Sequence, residues 1–369
     1  SLIDPTGGQA DLQQGIIRHV HKQTLLDDPV RTLRALRLAV SLDFKLAPET
    51  ETAVTEAAPH LPQCSNERIR DELLKMLQTA QPDTAVRRLS QLKCLPFILP
   101  HIADLVGVSQ SPPHHEDVFS HTISVLHWLI LVEAGLTAAA EPDSPEIKII
   151  RTQLDPYLPQ LQTHWQQVVD GGLDGSILLR LGAMFHDVGK KETQAVEADG
   201  RIRFFNHDKI GAKITGQQLR RLALSNQAIG RIQKIVAGHM HPLHLAHAPQ
   251  SLTRRAVYRY FKATGLAGLD IAILSLADHL ATYAGPGDIN EWERLLSVVS
   301  QLFEHYFNHH EETVAPPPLV NGRDLMQALH LQEGPEIGRL LRLIQEAQAA
   351  GEIHTPAEAL SLAHRICQY

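Results

Sequence analysis

Cysteine is scarce in this 369-residue chain: Cys64, Cys94 and Cys367 are scattered, and none belongs to a CxxC pair. That excludes a disulfide framework and a thiolate zinc site, and it leads us to expect a reducing, cytoplasmic setting. Long apolar runs are lacking too. Residues 128–132 form the longest, closed off by His127 and Glu133, far short of the roughly 20 residues of a spanning helix, so no membrane partner is expected. With 43% apolar and 20% charged residues, and 23 Gly and 22 Pro spread along the chain, collagen, coiled coil and linker readings drop out. At roughly 150 residues per domain, the length implies two or three globular units. Residue 1 is Ser1, in apolar sequence with no charged leader, which suggests a chain cut from something longer.

What is present is histidine. The 22 histidines outnumber the 9 Phe and 6 Tyr together, and imidazole is more often kept for ligation or proton transfer than for packing. Charge is also uneven. Residues 201–262 hold 12 Lys and Arg against the single acid Asp208, a segment of +11 in a chain of net −7. Such an island in an acidic protein is expected to face phosphates, with a solvated helix face as the plain alternative.

Helical periodicity dominates, and the expected fold class is all-α. Over residues 28–42, Val30, Leu33, Leu36, Leu38 and Val40 alternate with Arg31, Arg34 and Arg37, and Asp28-Pro29 reads as N-cap and first turn. Similar patterns cover residues 67–79, 84–92, 118–134, 175–188, 209–224, 226–238, 252–264, 269–282 and 292–305. Strand signals are confined to short pieces near 16–21 and 202–205. Gln110-Ser111-Pro112-Pro113 and Pro316-Pro317-Pro318 divide the chain into three modules, residues 1–110, 111–315 and 316–369. Residues 133–172, Pro-rich and acidic, read as an inserted loop. In the tail, Thr355-Pro356-Ala357-Glu358 is a capping box and Gly351 closes the preceding helix.

The chemistry lies in an ordered set: His121 within a helix, His186-Asp187 at a helix end, His207 at a helix start, His239 at a helix end and Asp278 in a late helix. Imidazole and carboxylate together suit a borderline or hard divalent ion in an open, catalytic site. Adjacent helical side chains point about 100° apart, so His186 and Asp187 reach one ion only where the helix end faces it, and Lys190 then lies close by. His241, two residues from His239, is an alternative ligand. His127, His164, His244, His247 and His305 are expected to be ordinary hydrogen-bonded residues.

This set resembles the HD phosphohydrolase domain, with His121 as first histidine, His186-Asp187 as doublet, Asp278 as terminal aspartate, and His207 and His239 where two-metal members place further ligands. The resemblance implies one or two divalent ions (Mg, Mn, Ni, Fe or Zn) and phosphate-ester hydrolysis, with Asp187 and Lys190 in catalytic roles.

A second resemblance covers most of the chain. Leu2-Ile3-Asp4-Pro5-Thr6-Gly7-Gly8, then Asp27-Asp28-Pro29-Val30-Arg31-Thr32-Leu33-Arg34, Asn66-Glu67-Arg68-Ile69-Arg70-Asp71-Glu72-Leu73 and, in the tail, Asn321-Gly322-Arg323-Asp324 and Gly351-Glu352-Ile353-His354-Thr355 resemble bacterial CCA-adding enzymes and related poly(A) polymerases. It implies that residues 1–26 are the end of a catalytic head otherwise absent from this chain and 27–110 the neck, that Asp28 and Arg31 read the base of CTP or ATP in the complete protein, that the tail of residues 316–369 binds tRNA, and that the hydrolytic domain acts on RNA ends such as 2′,3′-cyclic phosphates. Arg254 and Arg255 of the basic island are expected on the tRNA backbone. Gly-Gly-x-x-Arg-Asp, Asp-x-Asp and Arg-Arg-Asp elements occur nowhere in the chain, so nucleotide addition is not expected of these residues alone. Two alternatives are a stand-alone HD hydrolase of small nucleotides and a non-catalytic tRNA-binding module.

Overall fold

The computed structural model describes residues 3–138, 140–170 and 172–367. The chain is 69% helix and 4% strand, so the all-α expectation holds. Among the described residues the strands form only two-stranded ribbons, of which the parallel pair Ile16–Ile17 with Lys45–Leu46 and the hairpin Gln194–Val196 with Ile202–Phe204 include the two strand pieces visible in the sequence.

Arginine-faced Val30–Leu42 buries Val30, Leu33 and Leu36 against Asn66–Leu77 and Pro82–Gln91. Its N-cap is Pro29, with no side-chain cap bond; the Asp28 carboxylate turns to Arg68 Nη2 at 2.8 Å and Arg31 Nε at 3.3 Å. Two guanidinium partners are stronger than one backbone N–H, which is why the cap expected from Asp28-Pro29 does not form.

Val118–Thr137 is long and apolar enough to pass for a membrane span by composition alone. It is a core helix: it packs on Ala267–Tyr283 and Gly175–Phe185, and its buried Glu133 accepts from Arg180 Nε at 2.8 Å and Ser176 Oγ at 3.0 Å. Burial pushes the Glu133 carboxyl up, against the pull of Arg180.

Residues 133–172 are not a structureless loop. Val118–Thr137 continues into them, and Pro145–Leu154 and Leu158–Gln166 follow, burying Ile147, Ile150, Leu154, Leu161 and Trp165 in the main core. Proline at the first turn of each helix is what made the stretch look like a loop, although Pro is at home there.

One hydrophobic cluster runs from Leu25 to Phe303, continuous across the Gln110–Pro113 junction, whereas the tail has its own, around Leu325, Leu340, Ile344 and Ala359. The capping box forms as expected, Glu358 Oε2 accepting from the His354 and Thr355 amides at 2.7 and 3.0 Å, and Gly351 takes a φ of +78°.

Candidate metal centre

Five helices deliver six side chains to one buried point. His121 comes from Val118–Thr137, His186 is the residue that ends Gly175–Phe185, His207 opens His207–Arg221, His239 ends Asn226–Gly238, and Asp278 lies in Ala267–Tyr283. Because His186 leaves the helix as its cap, Asp187 falls in the turn beyond and both face inward.

The Asp187 carboxylate is central. Its Oδ2 lies 3.1 Å from His186 Nε2 and 3.8 Å from His121 Nε2, while its Oδ1 lies 3.5 Å from His207 Nε2 and 3.8 Å from His239 Nε2. Asp278 Oδ1 completes the first side, 3.0 Å from His121 Nε2. Two groups with the spacing of metal ligands therefore share Asp187: His121–His186–Asp187 and Asp187–His207–His239.

Backbone carbonyls set the imidazoles. The Nδ1 atoms of His186, His207 and His239 lie 2.7, 2.8 and 2.7 Å from the carbonyls of Ala183, Phe204 and Val236. A carbonyl only accepts, so each Nδ1 carries a proton and each ring turns its Nε2 to the centre, where it offers a lone pair when the ring is neutral. His207 Nε2 and His239 Nε2 stand 3.2 Å apart, two lone pairs face to face. That contact is repulsive until a cation or proton sits with them. His186 Nε2 is likewise buried without a hydrogen-bond partner. An all-N/O donor set with such orphaned atoms fits a divalent metal.

The electrostatics agree. Burial opposes ionisation of Asp187 and Asp278, but His186 and Lys190 beside the first, and His121 beside the second, hold both carboxyls below their ordinary range. Burial likewise opposes the His186 imidazolium, yet the Asp187 carboxylate outweighs it and raises that pKa. Burial, with His186 and His207 nearby, lowers His239 to about 3. Burial, then Lys190 and His121, lower His114 to about 3 as well.

These two depressed histidines give the metal-free chain a pH dependence. Between about pH 6.5 and 3 the unfolded chain takes up protons at both that the folded chain refuses, so stability is lost as pH is lowered through that window, by up to about 1.4 kcal/mol per pH unit for each such proton. Urea unfolding in chelator at pH 7 and pH 5 measures this; an unchanged midpoint would mean that the rings are hydrated.

Lys190 is buried, and its ammonium pairs with Asp187 Oδ2 at 2.7 Å and donates to Gln110 Oε1 at 2.6 Å. Here the Gln110–Pro113 junction proves part of the site, since Gln110 holds Lys190 and Ser111 Oγ accepts from the Ile202 amide at 2.7 Å. His114 was not among the expected site residues. Its ring meets that of His121 edge to face at 4.7 Å, its Nδ1 is buried without a partner, and it lines the same cavity of about 330 Å³. Two prolines directly before it and a helix still four residues away left it without periodicity to place it.

Gly189 allows the two halves to meet. A Cβ there would stand 2.6 Å from the Gly211 amide nitrogen and closer still to the His207 carbonyl. Gly189→Ala is expected to push His207–Arg221 away from Asp187 and to lower the divalent metal bound per chain; elemental analysis checks this.

Other expected site residues lie elsewhere. His241 lines a different cavity, with His244 and Tyr260, so it does not replace His239. His164 is a core residue as expected, but His247 lines the metal-facing cavity. Asp28 and Arg31 do come together, with Arg68 on the neighbouring helix, and the Arg68 guanidinium holds the Asp28 carboxyl below its ordinary range. Arg254 and Arg255 turn from solvent to the tail. Arg254 Nε donates to the Ala349 carbonyl at 3.1 Å, and Arg255 Nη2 pairs with Glu352 at 2.7 Å.

Similarity to known proteins accords with this architecture. Residues 43–105 match the family described as "Probable RNA and SrmB- binding site of polymerase A", and residues 207–363 that described as "tRNA nucleotidyltransferase domain 2 putative". The A-adding tRNA nucleotidyltransferase of Deinococcus radiodurans is 33% identical over 99% of this chain and 74% of its own length. The chain belongs to the tRNA nucleotidyltransferase family. The CC-adding tRNA nucleotidyltransferase of Thermus thermophilus is 30% identical, over 96% of this chain and 70% of its own. A CCA-adding enzyme solved in complex with CTP superposes with a TM-score of 0.56 at 18% identity, covering all of this chain, which spans 66% of that structure's length. That likeness extends the family resemblance to the fold.

Proposed function

We propose that these residues form the metal-dependent phosphohydrolase and tRNA-binding portion of a tRNA nucleotidyltransferase, with residues 111–315 as an HD-type domain that opens 2′,3′-cyclic phosphates at RNA ends. The facing Nε2 lone pairs of His207 and His239 beside a shared Asp187 carry this reading, because nothing but a cation or proton relieves them. The residues that would hold metal are His121, His186, Asp187 and Asp278 on one side and His207, His239 and Asp187 on the other. A divalent ion, when bound, supplies Lewis-acid stabilisation of charge on a phosphoryl group.

The chain's own groups do the rest. Lys190 orients Asp187 and has a third N–H to offer a phosphate oxygen. Gln110 fixes that ammonium, and the buried surroundings strengthen each charge–charge contact. Asp28 with Arg31 is assigned to the base of CTP or ATP: the carboxylate accepts from an exocyclic amine and the guanidinium donates. No Asp-x-Asp pair for a metal-bound triphosphate occurs in this sequence, so nucleotide addition is not assigned to these residues. A cytoplasmic location goes with a tRNA substrate.

Hydrolysis of 2′,3′-cyclic nucleotides with Mn²⁺, Ni²⁺ or Mg²⁺, abolished by chelator and restored by metal, tests the catalytic reading. No turnover with any of these ions would leave a binding module.

For tRNA, the exposed stripe Lys209, Lys213 and Arg220 runs along the helix that His207 opens, while Arg254 and Arg255 hold the tail. Lys213→Ala with Arg220→Ala is therefore expected to lower the salt dependence of tRNA binding by about one to two units of slope. The Arg254→Ala, Arg255→Ala pair should leave the slope and lower the tail's thermal stability. Dissociation constants across a salt series decide between the two sets.

A further inference from the structure

The cavity at the metal centre has a second pole of different chemistry. Ala267–Tyr283 forms its wall, with Asp278 at one end and Tyr283 at the other, five residues and therefore roughly 7 Å apart along the helix. The first pole holds Lys190, Asp187 and the imidazoles of His207 and His239, whereas the His279 ring lies against that of Tyr283 at 4.7 Å. At the second, Leu295 lies one turn beyond Glu291 on Ile289–Asn308, Leu243 and Ala246 from His241–Ala246 add apolar lining to the cavity, and among the described residues Glu291 is the one lining carboxylate besides Asp187 and Asp278. Glu291 is half-buried, and its Oε2 receives only a long bond of 3.4 Å from the Tyr283 hydroxyl, so among the described residues its acceptor capacity is largely unused.

We propose that this second pole is a base subsite, in which Glu291 selects nucleotides whose base carries an exocyclic amine over those carrying uracil. The proposal rests on the phosphodiesterase reading for its orientation. A phosphate is repelled by Glu291 and drawn to Lys190, which places the phosphorus at the first pole. In a 2′,3′-cyclic ribonucleotide the ribose is fused to that phosphate, so the group reaching the far pole is the base, and the leucine surface takes its flat face. A carboxylate only accepts hydrogen bonds. Cytosine N4 and adenine N6 donate, whereas uracil presents the acceptor O4 at the corresponding edge, leaving two acceptors opposed.

Calorimetric titration of the whole chain with 3′-CMP and 3′-UMP, in chelator, reads this preference without turnover. The cytidine nucleotide is expected to bind about tenfold tighter, the scale of one hydrogen bond to a charged group. Glu291→Gln, whose amide both donates and accepts, should bring the two within about twofold at an unchanged unfolding midpoint. Equal affinities in the unchanged chain, binding of neither nucleotide, or a preference that survives Glu291→Gln overturns the proposal. Hydrolysis of bis(4-nitrophenyl) phosphate, which has no base, tests the phosphodiesterase reading separately in the unchanged chain. Absent turnover with an intact cytidine preference removes that reading and keeps the subsite; turnover without a preference does the reverse.

Discussion

An Asp187→Asn chain is expected to bind divalent metal at least about a hundredfold more weakly than the unchanged chain and to lose cyclic phosphodiester hydrolysis to a similar or larger extent. The reason is positional. Asp187 offers one oxygen to His121 and His186 and the other to His207 and His239, so replacing it removes a ligand from both sides and the charge that balances Lys190. His207→Ala should behave differently, taking away one side and leaving the His121–His186–Asp187 group. Metal content per chain, by elemental analysis or native mass spectrometry, separates the cases. An Asp187→Asn chain with full metal content and activity would mean that the carboxylate is structural.

The second large effect is expected where no substrate goes. Asp270, fully buried, accepts from Arg231 Nε at 2.8 Å and Nη2 at 3.0 Å, and His164 Nε2 lies 2.8 Å from its Oδ1. This network joins Leu158–Gln166, from the stretch that reads as an insertion, to the two core helices carrying His239 and Asp278. Asp270→Ala leaves the Arg231 guanidinium buried without its counter-ion and should cost about 3–5 kcal/mol of folding stability. Asp270→Ala combined with Arg231→Met should recover part of that loss, since both charges are then gone. Chemical denaturation of the three chains checks this; a loss below about 1 kcal/mol in the single variant would show that water reaches Arg231.

Much of the candidate metal centre was legible because its residues sit at helix ends or within strongly periodic helices. His186-Asp187 follows an apolar helical run, His207 precedes one, and Asp278 falls inside another, so order and residue type sufficed to group them. His114 was not, because it lies in an irregular stretch and its place is set by contact with His121, 7 residues away in sequence and on another element. The same limit explains Arg254 and Arg255. A count of +11 over residues 201–262 records where charge is, while the partners that engage it, Glu346 and Glu352, come from the tail about 90 residues later.

The sequence by itself determined the helical class, the donor set of imidazole and carboxylate without thiolate, the capping box at Thr355 and the family, since these follow from residue type and spacings of three or four positions. Only the tertiary structure decided that Asp187 faces two histidine groups rather than one, that residues 133–172 belong to the core, that Asp28 prefers Arg68 to the helix cap, and that the basic arginines near residue 254 hold the tail. Each of these is a choice among partners distant in the chain. Such choices are made by which helices pack together, through long-range burial and ion pairing that local periodicity does not encode.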